Sequence, residues 1–127
     1  MSLNDTITAL GNTIINLAES KVINQPIQVL SNGTIALENK QTIYKITPSA
    51  ATTFTFNASS LSLSSSKAYT FELCVVMSTV YSLTFPSSLV WQDGEAPDLS
   101  EAGTYFLAFR TIDGGTTWLG NLQGKWN

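Results

Sequence analysis

The feature that most constrains the fold is a pair of apolar runs joined by a short glycine-rich turn. TYFLAFRTI (104–112) is apolar on both faces of an extended strand, and TTWLGNL (116–122) follows it closely. Between them lie Asp113, Gly114 and Gly115. Both glycines tolerate positive φ, and an Asp carboxylate can accept hydrogen bonds from backbone N–H groups of its own turn. The segment therefore predicts a β-hairpin whose first strand is central in a sheet.

The remainder of the chain also consists largely of short runs that suit strands, separated by turn residues. In PIQVLSNGTIALE the Asn32-Gly33 pair predicts a second hairpin. The other runs are QTIYKIT (41–47), TTFTFNA (52–58), AYTFELCVVM (68–77), TVYSLTFP (79–86) and LVW (89–91). This close spacing favours a mainly β fold. A β-sandwich or jelly-roll-like head suits 127 residues better than a propeller, which needs a longer chain.

Residues 3–20 have a helical period instead. Leucine recurs every seven residues, with isoleucine at the intervening apolar positions of a heptad, at Leu3, Ile7, Leu10, Ile14 and Leu17. This narrow apolar seam predicts a short α-helix that forms a coiled coil between copies of the chain; the alternative is an amphipathic helix packed on its own domain. Pro26 marks the break. We therefore divide the chain into a helical oligomerisation segment, 1–25, and a β-head, 26–127.

Composition excludes several classes of partner. Six Lys and Arg residues stand against nine Asp and Glu residues, the net charge is −3, and no basic cluster occurs. We therefore expect no nucleic-acid partner. No uninterrupted apolar run is long enough to cross a bilayer, so we expect no membrane insertion. The N-terminus shows neither the cationic nor the apolar part of a signal peptide, and we expect none.

Catalytic chemistry has little support in the sequence. The chain has no histidine, which removes Ser–His and Cys–His pairs and imidazole metal ligands, and its one cysteine, Cys74, lies in an apolar run. A glycosidase would have to pair Glu72 with Asp93 or Glu95, and nothing in the spacing selects them. The acidic loop lacks the spacing of an EF-hand. Its four acids are Asp93, Glu95, Asp98 and Glu101. We expect no enzymatic activity, metal or cofactor.

Aromatic side chains are the remaining surface chemistry, because a flat apolar ring can stack on a sugar ring. We expect ligand contacts at Tyr81, Trp91 and Trp118; the alternative for the two tryptophans is a place in the core or over the hairpin. Trp126 lies one residue from the C-terminus. It is expected either to anchor the chain end or to contact another copy, and Arg110 joins it as a candidate residue of the oligomer interface.

The glycine-rich turn also fits the pattern [S/T]-x-D-x-G-x-T-W, which resembles the Asp-box of sialidases and related propellers. The matching turn residues are Thr111, Asp113, Gly115 and Thr117, with Gly114 inside the turn and Trp118 after it. In sialidases the box is a folding element, remote from an arginine triad and a Tyr/Glu nucleophile pair. This chain has one arginine. The box therefore predicts a structural turn and not a reaction.

A longer segment, 83–126, resembles the C-terminal region of many phage and prophage tail-fibre and baseplate-associated proteins. The shared elements occur in order: Phe85-Pro86, Trp91, the turn from Gly94 to Pro97, the strand 105–111, and the box. The resemblance covers about a third of the chain. It implies a virion structural or adhesion β-domain, commonly trimeric, and it carries no catalytic motif.

Together these features predict a non-enzymatic phage tail or fibre head, structural or receptor-binding, in a virion or encoded by a prophage. It would assemble as a homo-oligomer, with a trimer as the number that the resemblance implies. It would attach to a host-surface glycan or protein, or contact other tail proteins. The alternative is a free-standing carbohydrate-binding module of a secreted protein, which a monomeric state and exposed coplanar aromatic residues would favour.

Overall fold

The computed structural model describes residues 24–127, and this part of the chain is mainly β. It contains ten strands: β1 Ile27–Val29, β2 Thr34–Ala36, β3 Ile43–Ile46, β4 Thr52–Thr53, β5 Thr55–Asn57, β6 Tyr69–Met77, β7 Leu83–Thr84, β8 Leu89–Trp91, β9 Gly103–Thr111 and β10 Trp118–Trp126. A single 3-10 turn, Gln92–Gly94, follows β8. Within these residues no helix is long and apolar enough to cross a membrane.

Six of the strands form one mixed sheet in the order β1-β3-β6-β9-β10-β8. Its centre is antiparallel: Tyr69 of β6 lies opposite Thr111 of β9, and Met77 lies opposite Gly103. The flanks are parallel, because β1 runs along β3, β3 along β6, and β8 along β10. β9 therefore has a long strand on each side, which confirms the prediction of a central strand.

Two small parallel sheets, β2–β5 and β4–β7, complete the fold. β4 and β5 are consecutive stretches of chain separated only by Phe54. The Phe54 N–H donates to the Thr84 carbonyl at 2.7 Å, and the Thr55 N–H donates to the Gly33 carbonyl at 2.9 Å. The segment 52–57 thus changes its pairing partner at Phe54, from β7 to β2.

The core lies between the six-stranded sheet and these smaller sheets. Alternate residues of β6 and β9 are buried, since side chains of successive strand residues point to opposite faces. From the smaller sheets and their flanks, Ile35, Leu37 and Phe54 join the same apolar cluster. Each fully buried side chain of this size contributes about 1.5–3 kcal/mol relative to an exposed one. Burial of this one cluster therefore holds the sheets together.

The predicted hairpin at Asn32-Gly33 is wrong. β1 pairs with β3 and β2 pairs with β5, so the strands on either side of Gly33 enter different sheets. A Cβ atom at Gly33 would lie 2.0 Å from the carbonyl oxygen of Thr53. The glycine is therefore needed for the close approach of two backbones rather than for a hairpin turn.

The predicted N-terminal coiled coil and its apolar positions, Leu3, Ile7, Leu10, Ile14 and Leu17, lie outside the described residues. Of the segment 1–25, only Asn24 and Gln25 are described, and neither is in a helix or strand. The division at residue 25 therefore stays a prediction. Cys74 is buried in β6, and burial raises the pKa of its thiol, which keeps it protonated.

Candidate functional site

The Asp-box forms the turn between β9 and β10. Asp113 Oδ1 accepts hydrogen bonds from the Thr117 N–H at 2.9 Å and from the Thr111 hydroxyl at 3.0 Å. Thr111 Oγ1 in turn accepts the Gly115 N–H at 2.9 Å. Gly114 and Gly115 have φ values of 74° and 91°, a region that side chains rarely adopt. The five residues therefore make one closed hydrogen-bonded turn.

The hydrogen bonds of this turn also affect the protonation of the Asp113 carboxylate. The hydrogen bond from the Thr117 N–H is the largest effect on the pKa of Asp113, and it holds that pKa below its ordinary value against desolvation. The Thr117 and Thr111 side chains lower it further by smaller amounts. A carboxylate with a lowered pKa is a poor general acid or base near neutral pH. The geometry therefore gives Asp113 a structural role, which is to stabilise the turn between β9 and β10.

A cavity of about 420 Å³ brings together two of the predicted ligand-binding residues, Tyr81 and Trp91. It lies between the loop before β7 and the loop after the 3-10 turn. Both aromatic residues are half-buried. The whole lining consists of Val80, Tyr81, Ser82, Leu83, Phe85, Trp91, Ala96, Pro97, Asp98, Leu99 and Ser100. We call it the Tyr81–Trp91 cavity.

The apolar side of this cavity is fixed by the core. Phe85 meets Trp91 edge-on at 5.1 Å between ring centroids, and it stacks on buried Phe54 at 5.0 Å. Trp91 also packs against Phe109 of β9 at 5.9 Å. Such contacts hold the indole in one orientation. A ligand that met it would not have to order a mobile ring.

The opposite rim of the cavity is polar. Asp98 Oδ1 accepts the Ser100 N–H at 3.0 Å. Hydrogen bonds from the Ser100 side chain and backbone lower the pKa of Asp98, so its carboxylate is ionised at neutral pH. Ser82 and Ser100 are both exposed and line the same cavity. Sequence reasoning placed Asp98 in a solvated acidic loop and gave no sign that it would lie near Tyr81.

Trp118, the third predicted ligand-binding residue, lies in the core and is only 3% exposed. Its ring meets Phe56 at 5.3 Å and Phe71 at 5.5 Å, both close to edge-on. A ring enclosed in this way cannot stack on a ligand. The prediction of a ligand contact is therefore corrected, and Trp118 occupies the core position that was its alternative.

Arg110 and Trp126, the two head residues predicted at an oligomer interface, lie on the same face of the six-stranded sheet. We call this the outer face: it is the face opposite the core, and its residues alternate with the core residues along β6 and β9, all of them at least partly exposed except Cys74, which is buried. Its members are Ile27, Val29, Ile43, Lys45, Thr70, Glu72, Cys74, Val76, Val90, Thr104, Phe106, Ala108, Arg110, Leu119, Asn121 and Trp126.

The Trp126 side chain packs against the sheet and is also largely exposed. Its ring meets Phe106 edge-on at 5.3 Å, and a Cβ atom at Gly124 would lie 2.6 Å from it. The absence of a side chain at Gly124 thus leaves room for the indole. Trp126 is nevertheless 57% exposed. The two roles weighed for it, as an anchor of the chain end and as a contact for another copy, are therefore compatible.

A shallow groove of about 670 Å³ opens on the outer face between Glu72, Arg110 and Asn121. Neither Asp93 nor Glu95 lines this groove or the Tyr81–Trp91 cavity. The carboxylate pairs considered for a glycosidase are therefore not brought together in either. Within residues 24–127 no group of three or more acidic or cysteine residues is arranged to hold a metal ion.

The described part of the chain thus presents three features: a structural Asp-box turn, an aromatic cavity with an acidic rim, and a sheet face rich in exposed apolar residues. Comparison with known proteins adds no assignment, because no protein family, no curated protein and no solved structure matches this chain.

Proposed function

We propose that this chain is the non-enzymatic head of a phage tail or tail fibre, carried on a virion or encoded by a prophage, and that it attaches to a host-surface glycan. The observation that carries the proposal is the Tyr81–Trp91 cavity, where two aromatic side chains and the Asp98 carboxylate line one opening. The resemblance of residues 83–126 to tail-fibre and baseplate proteins supports the setting.

The size and chemistry of the cavity support a sugar as ligand. Its volume of about 420 Å³ lies in the range of small-molecule sites, about 300–1,000 Å³. Aromatic rings can contact the apolar face of a pyranose. The Asp98 carboxylate can accept hydrogen bonds from sugar hydroxyl groups, and bonds to an ionised acceptor are roughly twice as strong as neutral ones. A single site of this kind is weak, so attachment would depend on several copies.

The fold supports a β-sandwich-like head more than a jelly roll. The small sheets β2–β5 and β4–β7 cover the inner face of the six-stranded sheet, and both sides contribute to one apolar cluster. Two layers around one core are the basis of a sandwich. A head of this shape would display the loops around the Tyr81–Trp91 cavity at an edge, while leaving the outer face for assembly.

A free-standing carbohydrate-binding module is the second candidate, because the same cavity would serve it. The two proposals differ in oligomeric state. The exposed apolar residues of the outer face favour a homo-oligomeric head, since large exposed apolar patches usually mark interaction sites. We propose a homo-oligomer, with a trimer as the number implied by the resemblance.

The test is glycan-array binding by the full chain, together with its Tyr81→Ala and Asp98→Asn variants. Asp93→Asn is the matched control, because Asp93 is an exposed acid that does not line the cavity. We expect both cavity variants to lose at least about tenfold in affinity for the bound glycan, whereas the control retains it. Absence of binding by the unsubstituted chain to every bacterial-surface glycan would contradict the proposal.

A further inference from the structure

The outer face of the six-stranded sheet is unusually apolar for a surface. Eight large apolar side chains are exposed among residues 24–127, and five of them lie on this face. They are Ile27, Val29, Val90, Leu119 and Trp126, with exposures between 42% and 74%. They extend from the edge strand β1 to the opposite edge strand β8. An apolar face with an exposed Trp and an Arg has the composition of a protein interface.

Charges of both signs lie near the middle of this face. Glu72 of β6 lies opposite Ala108 of β9, and Arg110 is two residues farther along β9. Glu72 and Arg110 are therefore diagonal neighbours roughly 7–8 Å apart, with their Cβ atoms somewhat closer. Within the described part of the chain, neither forms an ion pair at 4.0 Å or less. The other two residues at this position of the face are Ala108, opposite Glu72, and Thr70, opposite Arg110.

We propose that the outer face binds the outer face of a second copy of this chain, with Glu72 of one copy paired to Arg110 of the other. The inference rests on the homo-oligomeric head proposed above and names its contact surface. Because a face that binds itself makes a two-fold interface, this contact specifies a dimer in place of the trimer that the resemblance implies. A face that carries both charges side by side is complementary to itself. When two such faces meet about a two-fold axis, each Glu72 can meet the Arg110 of the other copy.

The dimensions of the face set the size of such a contact. Six strands span about 24 Å at the usual strand spacing, and the nine-residue strands β6, β9 and β10 run about 30 Å. Because β1, β3 and β8 have only three or four residues each, the footprint is smaller than the full rectangle and falls below the roughly 800 Å² that each partner contributes to a standard-size interface. Side chains of the second copy can enter the groove between Glu72 and Asn121.

Assembly through this face leaves the ligand site open. None of the residues that line the Tyr81–Trp91 cavity belongs to the outer face. Trp91, which lies opposite Gly120, is the one lining residue that the cavity shares with the groove of the outer face. Each copy would therefore keep its own cavity in the oligomer. This separation of an assembly face from a ligand site is what multivalent display requires.

The test uses the full chain, with absolute mass measured by light scattering after size exclusion. Glu72→Arg and Arg110→Glu each place like charges in contact, so we expect each variant to dissociate, with the dissociation constant raised at least about thirtyfold. An equimolar mixture of the two variants should re-form oligomers, because Arg at 72 in one chain then meets Glu at 110 in the other. No effect within a single chain would produce that recovery.

Glu95→Arg and Lys67→Glu are the matched controls, since both residues are exposed and lie off the outer face. They should keep the mass of the unsubstituted chain. Leu119→Lys, at an exposed outer-face position, provides a second route to dissociation if the Glu72 variant fails to fold by circular dichroism.

A monomeric unsubstituted chain at about 100 µM would overturn the inference, because even a contact with micromolar affinity assembles at that concentration. Charge variants that stay oligomeric, or folded variants whose mixture stays monomeric, would overturn it too. In those cases the glycan site is tested separately by the array. An oligomer that recovers on mixing but binds no glycan would instead count against the proposed function alone.

Discussion

Asp113 Oδ1 lies 2.9 Å from the backbone nitrogen of Thr117, four residues later in the chain, and accepts its hydrogen bond. This one contact closes the loop between β9 and β10. The turn therefore sets the register in which β10 pairs with β9, as far as the irregularity between Leu122 and Gly124. The role of the Asp-box is thus structural, and substitutions of its residues measure how much the turn contributes to the free energy of unfolding.

Thr111→Val should lower the free energy of unfolding by about 1–3 kcal/mol, the usual effect of leaving a hydrogen-bonding group without its partner. The Thr111 side chain is fully buried and bridges Asp113 to the Gly115 N–H. Valine fills the same space but supplies neither bond. Urea denaturation followed by tryptophan fluorescence measures the change.

The matched control for that substitution is Thr116→Val in the same turn. Thr116 is exposed, and its hydroxyl makes no hydrogen bond within residues 24–127. Its variant should stay within about 0.5 kcal/mol of the original chain. Equal losses at 111 and 116 would mean that the hydrogen bonds are not the source of the stability.

Stability should fall on acidification because hydrogen bonds lower the pKa of Asp113 and Asp98 in the folded chain. The unfolded state then binds more protons, so stability rises with pH through this range. The contribution is complete above the unfolded Asp value of about 3.9 and is lost as pH falls through the lower folded values. Thermal melting between pH 6 and pH 2 should show the loss.

Asp113→Asn tests the source of this pH dependence, because an amide keeps an acceptor oxygen but does not titrate. The variant should lose less of its melting temperature between pH 5 and pH 2 than the unsubstituted chain. Asp93→Asn is the control, since no hydrogen bond to that carboxylate occurs in the described residues. An unchanged slope in the Asp113 variant would exclude this turn as the origin.

Local features of the fold were predictable where one strand or one turn decides the outcome. The run 104–112 is apolar on both faces, and it became the central strand β9. The glycines after Asp113 were expected to tolerate positive φ, and both adopt it. In each of these cases the interaction that decides the structure lies within a few residues of the pattern.

Long-range pairing was not predictable in the same way. The parallel pairs β2–β5 and β4–β7 join segments about 20 to 30 residues apart, and no local period specifies which segments meet. The proximity of Asp98 to Tyr81 depends on the same packing. Likewise, Trp118 is buried because three aromatic rings pack against it in space, although they lie far from it in the sequence. They are Phe56, Tyr69 and Phe71.

Gly33→Ala should destabilise the fold by roughly 3 kcal/mol or more, at the upper end of overpacking in a tight site. The new methyl group would meet the Thr53 carbonyl oxygen at 2.0 Å, a backbone atom that cannot rotate away. The clash would separate β2 from β5, whose pairing begins with the Thr55 N–H bond to Gly33. Urea denaturation measures the loss.

Gly94→Ala is the control for Gly33. Gly94 has a φ of 72° but no atom within 4 Å of the new Cβ, so its variant reports strain without a clash. It should lose only about 1–2 kcal/mol. If Gly33→Ala is no worse than this control, close backbone approach does not explain the glycine.

Binding to a glycan-coated surface should depend on assembly even though binding to a free oligosaccharide does not. Arg110→Glu alters the outer face and leaves every residue that lines the Tyr81–Trp91 cavity in place. We therefore expect unchanged affinity for a soluble oligosaccharide found on the array, measured by calorimetry. Retention on a surface densely coated with the same glycan should fall by about 10²–10⁴, because avidity is lost when the copies separate. Parallel losses in both assays would mean that Arg110 acts on the cavity itself, whereas undiminished retention on the surface would mean that attachment does not depend on linked copies.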